Sequence, residues 1–249
     1  MSGDGFMGRF LSAGVKRIHA FLCVVITVVI CLSALFFFKV FCHGKVVNEA
    51  ILRRNLNKGF ILASNHVSYM DWLVLFGYFL FYRHIHIVFI AKDKLFYHPL
   101  WKYVVKGGQG VRVSNCGTKF LSHKDYKRLV EAKYVGIFPE ATRSAKGNLI
   151  TVHGGAIKIA AKKGLPLIPI RLEGFYHVLP RGQKIPVPYP CRIIIGQECF
   201  YFPEEVENTS DSSLNNCMFR LLENLEYVAL NEQYAAISTK EGIDSQKCH

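Results

Sequence analysis

Residues 20–38 form a stretch of 19 almost entirely hydrophobic positions without a charged side chain. A helix of this length rises about 28 Å, close to the thickness of the hydrocarbon core of a bilayer. The stretch is longer than the apolar part of a signal peptide, and no small-x-small cleavage site follows it. Because a buried helix is rarely apolar on every side, the pattern predicts a membrane helix. A helix that enters one leaflet and returns is an open alternative, and basic residues on both sides leave the orientation open.

After residue 45, short apolar runs alternate with segments in which apolar residues recur every three or four positions. The runs predict strands and the periodic segments predict helices. The predicted strands cover residues 60–64, 85–91, 110–113, 134–138, 165–172 and 191–196. The predicted helices cover residues 69–81, 95–105 with a kink at Pro99, 117–133, 155–163, and a last segment that begins near Asp211.

This alternation is typical of an α/β fold, so we expect a mixed, largely parallel sheet flanked by helices, with an N-terminal hydrophobic membrane helix in front of it. The pattern shows no internal repeat and no clear linker. We therefore divide the chain into a membrane-anchoring segment, residues 1–45, and one α/β domain, residues 46–249.

Charge narrows the range of partners. Lys and Arg outnumber Asp and Glu by 31 to 18, a formal charge of +13, which favours polyanionic partners such as nucleic acid, anionic lipid or phosphorylated substrates. No RNA-binding motif is recognisable, and a membrane segment explains the charge better, so we expect a lipid bilayer and no nucleic acid. The eight cysteines contain no C-x-x-C pair, which predicts neither a disulfide framework nor a zinc site and favours reduced thiols in a cytosol-facing protein.

Two titratable residues interrupt the apolar sequence after the first predicted strand. His66 follows that strand, and Asp71 comes five residues later, at the start of the next predicted helix. At the carboxyl end of a strand, an imidazole can take a proton from a hydroxyl group while a carboxylate fixes its tautomer. No G-x-S-x-G elbow occurs, so the attacking hydroxyl would come from a substrate. The structural alternative is a helix-capping aspartate beside an ordinary loop histidine.

A second polar cluster follows the strand predicted at residues 134–138. In the segment GIFPEATRS, Glu140, Thr142, Arg143 and Ser144 crowd one loop. Arginine suits bidentate recognition of phosphate, and the hydroxyl groups can add hydrogen bonds. Glu140 could hold Arg143 in place or accept a substrate hydroxyl; a purely structural acid–arginine clamp of the loop is the alternative.

Together these segments resemble the glycerophospholipid acyltransferases, most closely the 1-acylglycerol-3-phosphate (lysophosphatidic acid) acyltransferases. The resemblance is carried by Asn65-His66-x4-Asp71 and by Phe138-Pro139-Glu140-Ala141-Thr142-Arg143-Ser144. KGGQGVRVS resembles the family's intermediate block, whose arginine maps to Arg112, and LPLIPI resembles the block that shapes the acyl site. The four blocks come in the family's order and span residues 62–171.

The resemblance implies a mechanism and a set of site residues. His66 would be the general base and Asp71 would orient it, with direct attack on an acyl thioester and no metal or cofactor. Acyl-CoA or acyl carrier protein would be the donor and a lysophospholipid the acceptor. The residues implied to bind the acceptor and its phosphate are Glu140, Thr142, Arg143, Arg112 and Lys92.

The sequence departs from the family pattern at two positions. Ala141 replaces a glycine, which is unfavourable if that residue needs a positive φ, and His153 replaces a frequent lysine. The first hypothesis is therefore acylation of the sn-2 hydroxyl of lysophosphatidic acid at the bacterial inner membrane or endoplasmic reticulum, with the catalytic domain facing the cytosol. The alternatives are acylation of another lysophospholipid or a lyso-aminolipid, and a non-catalytic membrane-anchored lipid-binding scaffold.

Overall fold

A computed structural model describes residues 4–99, 101–113, 122–149 and 151–225, with side chains from residue 14 onward. The chain divides into two compact units. The first unit contains Met1–Phe41 and Tyr69–Gly136, and the second contains Cys42–Ser68 and Ile137–His249. The division between an anchoring segment, residues 1–45, and one α/β domain stays a prediction.

Helices and short strands alternate along the described chain. In order they are α1 (Asp4–Val40), β1 (Lys45–Val47), α2 (Glu49–Asn55), β2 (Phe60–Ser64), α3 (Met70–Gly77), a π-helical turn (Tyr78–Tyr82), β3 (Val88–Lys92), α4 (Asp93–Tyr97), α5 (Trp101–Gly107), β4 (Val111–Val113), α6 (His123–Glu131), β5 (Tyr134–Ile137), α7 (Gly155–Lys163), β6 (Leu167–Glu173), α8 (Phe175–Val178), β7 (Arg192–Ile195), α9 (Pro203–Glu207) and α10 over residues 211–225.

Each unit contains a set of paired strands, most of them parallel. In the second unit β1 pairs with β7 in parallel, β7 with β6 in antiparallel, and β6 with β2 in parallel. In the first unit β3 lies between β5 and β4 and is parallel to both. The predicted α/β fold with a mixed, largely parallel sheet and an N-terminal apolar helix is therefore confirmed.

Two local differences from the predicted elements have simple causes. The helix predicted over residues 95–105 is two helices, α4 and α5, because Pro99 has no N–H to donate and holds the preceding residue extended. His98 accordingly has φ −64° and ψ 135°. The predicted helix at residues 117–133 is described only from Ser122, its N-cap, and residues 117–121 lie outside the described part.

The helix α1 has one buried and one exposed side, and both sides are apolar. The buried side packs against α3 and α5 of the first unit. It consists of Cys23, Thr27, Cys31, Ala34, Leu35 and Phe38. The exposed side includes Phe21, Leu22, Val25, Val29, Leu32 and Phe36. The segment Gly14–Val40 is long and apolar enough to cross a membrane, and it is the one such helix in the described chain.

The contact between α1 and α5 depends on a glycine. The Thr27 hydroxyl donates to the Cys23 carbonyl, at 2.7 Å, and lies 3.1 Å from the Val104 carbonyl. A Cβ on Gly107 would lie far inside van der Waals contact with both Thr27 Oγ1 and the Cys23 carbonyl. Because a backbone carbonyl of a packed helix cannot turn away, only glycine allows this close approach.

Gly107→Ala should therefore destabilise the first unit. We expect the free energy of unfolding to fall by about 1–3 kcal/mol, the usual effect of overpacking. Urea unfolding of the detergent-solubilised protein, followed by circular dichroism, measures it. Gly14→Ala, in α1 with nothing within 4 Å of the new methyl group, is the matched control and should leave stability unchanged or slightly higher. Equal unfolding curves for Gly107→Ala and the wild type would contradict the packing argument.

Candidate active site

His66 lies one residue beyond the end of β2, a strand in which all five residues are buried. The residue between them, Asn65, is 4 % exposed and pairs with the backbone of β6 through both atoms of its amide. Its Oδ1 accepts the Leu172 N–H at 2.7 Å, and its Nδ2 donates to the Leu172 carbonyl at 3.1 Å. The side chain thus continues the hydrogen bonding of the β2–β6 pair and ends the strand at a defined point. His66 is thereby placed at the carboxyl end of a parallel strand.

The second motif surrounds the backbone of His66. One carboxylate oxygen of Glu140 accepts the His66 N–H at 2.7 Å, and the Ser144 N–H donates to the His66 carbonyl at 2.8 Å. The ring of Phe138 stacks on the imidazole, with centroids 4.3 Å apart and planes at 24°. Both polar groups of one peptide residue are therefore satisfied by a motif more than 70 residues away, which restrains the histidine on three sides.

Glu140 is 7 % exposed, so its carboxylate is engaged inside the protein. A hydrogen bond from a backbone N–H to a carboxylate is stronger than one to a neutral acceptor. The structure therefore shows Glu140 holding the histidine loop. The sequence had suggested only that Glu140 holds Arg143 or accepts a substrate hydroxyl. Its implied contact with the acceptor stays a prediction.

The loop after Glu140 has a defined conformation. The Ala141 N–H donates to the Phe138 carbonyl at 3.0 Å, the Ser144 hydroxyl donates to the Asn148 carbonyl at 2.7 Å, and the Tyr176 hydroxyl donates to the Ala145 carbonyl at 3.1 Å. The Thr142 side chain is exposed and Arg143 is half-buried. The loop thus places a hydroxyl group two residues, and a guanidinium group three residues, after the carboxylate that holds His66.

The other predicted site residues lie in the first unit. Asp71 is fully buried in the first turn of α3, and Lys92 is the exposed last residue of β3. Arg112 lies in β4, where its guanidinium group is 3.3 Å from the Asp93 carboxylate and donates to the Tyr97 hydroxyl at 3.1 Å. Arg112 would have to share or exchange these partners to bind a phosphate.

Sequence reasoning gave no role to Asn65, Phe138 and Tyr176. The position of Asn65 directly after an apolar run and before the histidine was a usable signal, because such a side chain can end a strand by pairing with its neighbour. Nothing in the sequence pointed to Tyr176, whose partner lies 31 residues away. Among the described residues no three His, Cys, Asp or Glu side chains are grouped as metal ligands would be.

Ala141 has φ +55°, the left-handed conformation for which glycine is the favoured residue. The sequence departure at this position therefore corresponds to real backbone strain. Ala141→Gly should raise the free energy of unfolding by about 1 kcal/mol, because the glycine relieves this strain.

Ala145→Gly, in the same loop at a residue without a positive φ, is the matched control and should lower stability or leave it unchanged. Urea unfolding of the two variants and the wild type measures both effects. A fall in stability for Ala141→Gly as large as that for Ala145→Gly would contradict the conformation described.

Comparison with known proteins gives the family. The Acyltransferase family profile matches residues 39–173, more than half of the chain. The 1-acyl-sn-glycerol-3-phosphate acyltransferase of Cocos nucifera is 34 % identical over 166 residues, 63 % of this chain and 49 % of that protein. The chloroplastic 1-acyl-sn-glycerol-3-phosphate acyltransferase BAT2 of Brassica napus is 32 % identical over 127 residues, 50 % of this chain and 36 % of that protein. This chain therefore spans about half the length of the curated relatives it matches, or less.

A solved structure supports the fold. The crystal structure of the 1-acyl-sn-glycerophosphate (LPA) acyltransferase PlsC from Thermotoga maritima superposes with a TM-score of 0.59 at 21 % identity and covers 90 % of this chain and 89 % of its own. The resemblance predicted from the motifs is confirmed: this chain belongs to the Acyltransferase family.

Proposed function

We propose that the protein is a membrane-bound O-acyltransferase that transfers a fatty acyl group from acyl-CoA or acyl carrier protein to the sn-2 hydroxyl of lysophosphatidic acid, forming phosphatidic acid. The observation that carries this proposal is the placement of His66, whose backbone is held by Glu140 and Ser144 and whose ring stacks on Phe138. The names of the relatives from Cocos nucifera and Brassica napus support the choice of acceptor.

In this mechanism the His66 imidazole accepts the proton of the acceptor hydroxyl as its oxygen attacks the thioester carbonyl carbon. The tetrahedral intermediate collapses with cleavage of the C–S bond, and the imidazolium returns the proton to the leaving thiolate. One ester bond replaces one thioester bond, with no acyl-enzyme, no redox change and no metal step. The role implied for Asp71, to fix the histidine tautomer and balance its charge, is part of the proposal.

Recognition of the acceptor is assigned to the loop that carries Thr142 and Arg143. The guanidinium group can bind a phosphate through two parallel hydrogen bonds, and the exposed hydroxyl of Thr142 can add another. Arg112 and Lys92 are assigned to the same phosphate through the resemblance alone. Because Glu140 accepts the His66 N–H, the position of the histidine depends on the position of this loop.

His66→Ala should lower kcat by about 10²- to 10⁴-fold, the usual contribution of a general base, without loss of circular dichroism signal. Thiol release from oleoyl-CoA in the presence of lysophosphatidic acid measures it. His123→Ala, which removes an exposed histidine at the start of α6, is the control and should keep wild-type activity. Wild-type turnover by folded His66→Ala protein would eliminate this mechanism.

Arg143→Ala should separate the acceptor hypotheses. We expect KM for lysophosphatidic acid to rise by about 10- to 100-fold, as for loss of a charge-assisted contact, with little change for an uncharged monoacylglycerol. His153 is exposed and stands where the family resemblance implies a lysine, which favours testing lysophosphatidylcholine and a lyso-aminolipid in the same series. Preferential turnover of one of these moves the assignment to that acceptor. Lipid binding without thiol release, with either acyl-CoA or acyl carrier protein, supports the scaffold.

The membrane contact is assigned to α1. One side of α1 packs against α3 and α5, and the side chains on its outer side are exposed and apolar. Contact of this outer side with lipid is therefore more favourable than contact with water. Because one side is occupied by the protein itself, α1 is better placed to lie in one leaflet than to cross the bilayer alone. The proposed location is the bacterial inner membrane or the endoplasmic reticulum, with catalysis on the cytosolic side.

Phe21→Asp combined with Phe36→Asp should therefore abolish flotation of the protein with phosphatidylcholine vesicles. These rings are 67 % and 61 % exposed, and each would bring about 1.5–3 kcal/mol of apolar transfer energy to the contact. Phe200→Asp with Phe202→Asp is matched in exposure, 57 % and 63 %, and lies in the second unit; flotation should survive it. Equal flotation of the two double variants would contradict docking through α1.

A further inference from the structure

A basic pocket of about 310 Å³ lies in the first unit beside α1. Its polar wall consists of His19, Lys106, Gln109 and Arg128, and its apolar wall of Ala20, Cys23 and Val24. Two of its lining residues, Lys106 and Arg128, carry cationic side chains, and the Asp125 carboxylate lies 3.9 Å from the Arg128 guanidinium group in a long ion pair. None of these residues has a role in the mechanism proposed above.

The two walls favour different parts of one ligand. A pocket lined by Lys and Arg with an amide side chain suits a phosphate group. The apolar wall, in contrast, belongs to α1, and Val24 is 43 % exposed next to the exposed rings and aliphatic groups of the same helix. A pocket of this volume is at the lower end for small-molecule sites, so a headgroup fits and an acyl chain has to continue along α1.

The pocket also lies at the level expected for lipid headgroups. On α1 the exposed basic residues Lys16 and Arg17 lie shortly before His19, separated from it by Ile18, and the uncharged residues 20–38 directly follow His19. In a helix that contacts a bilayer, such a change from basic to apolar residues marks the boundary between headgroups and hydrocarbon. Lys106 and Arg128 reach this boundary from α5 and α6.

The way α5 ends builds the polar wall. The close approach at Gly107 brings the last turn of α5 against Cys23 and Thr27 of α1. The carbonyls of that turn are satisfied by the following backbone N–H groups, including Gln109 to Lys106 at 3.1 Å. Gln109 itself has φ +53°, a conformation in which glycine would be unstrained, and the residue lines the pocket. Strain at a residue that lines a cavity is typical of a binding site.

We propose that this pocket binds the phosphate of an anionic phospholipid whose acyl chain lies along the exposed side of α1, as a site separate from that of the reacting acceptor. The proposal rests on the membrane contact of α1 proposed above. It does not depend on the chemistry assigned to His66. A bound anionic lipid would fix the rotation of α1 about its axis at the membrane surface, because the pocket lies on one flank of the helix.

Native mass spectrometry of the full-length protein in detergent, titrated with phosphatidylglycerol or phosphatidylcholine, tests the site. Phosphatidylglycerol is neither the proposed acceptor nor the proposed product. We expect one phosphatidylglycerol per chain, bound saturably, and no comparable retention of phosphatidylcholine. Lys106→Gln with Arg128→Gln should weaken binding by about 30-fold, as loss of two cations at a lipid headgroup predicts. Lys124→Gln with Lys127→Gln removes the same charge from the exposed side of α6 and should leave binding unchanged.

The other outcomes overturn the proposal in distinguishable ways. Equal weakening in both double variants would show a general effect of surface charge. Displacement of the lipid by an equal concentration of inorganic phosphate would show a free-phosphate site in which the apolar wall has no role. Gln109→Gly tests the pocket without the risk of misfolding. It should raise the free energy of unfolding of the protein and still weaken lipid retention several-fold. Failure of wild-type flotation with neutral vesicles would count against the membrane contact of α1, whereas the detergent measurement addresses the pocket alone.

Discussion

The amide of Asn65 forms two hydrogen bonds with the backbone of Leu172, and the position of the histidine loop depends on this pair. The pair ends β2 at a fixed residue, so that the next peptide, that of His66, leaves the sheet at a defined angle. Glu140 and Ser144 then hold the N–H and the carbonyl of that peptide. Two backbone hydrogen bonds and the stacked ring of Phe138 thus restrain the histidine that, in the proposed mechanism, has to gain and lose a proton.

The sequence predicts the parts of the fold that depend on local pattern. β2 is recovered at its observed bounds, residues 60–64, because five buried residues in succession have no helical period. β1 is missed because it has three residues and a half-exposed pattern. The sequence predicts a kink at Pro99, and the helix is indeed interrupted there. The interruption is larger than a kink, because the extended conformation of His98 separates two helices.

Contacts between residues far apart in the sequence limit how much of the candidate site can be predicted. The motifs identify His66, Glu140 and Arg143 as chemically suited residues, and Ala141 as a residue under strain if its φ is positive, which it is. They do not identify the partner of the Glu140 carboxylate, because a backbone N–H is the same for every residue type and leaves no trace in the sequence. The one-sided burial of α1 is hidden for a similar reason: side chains that face protein and side chains that face lipid are both apolar.

The tight contact between α1 and α5 has a consequence for biosynthesis. On a ribosome, α1 is finished well before the segments that form α3 and α5 are made, a delay of several seconds at about 5–20 residues per second. During that time the side of α1 that later touches Gly107 is as exposed as the outer side. The nascent helix therefore needs an apolar partner before the rest of its unit has been made. Early contact with a bilayer would provide that partner. α3 and α5 would then pack against a helix that is already in place.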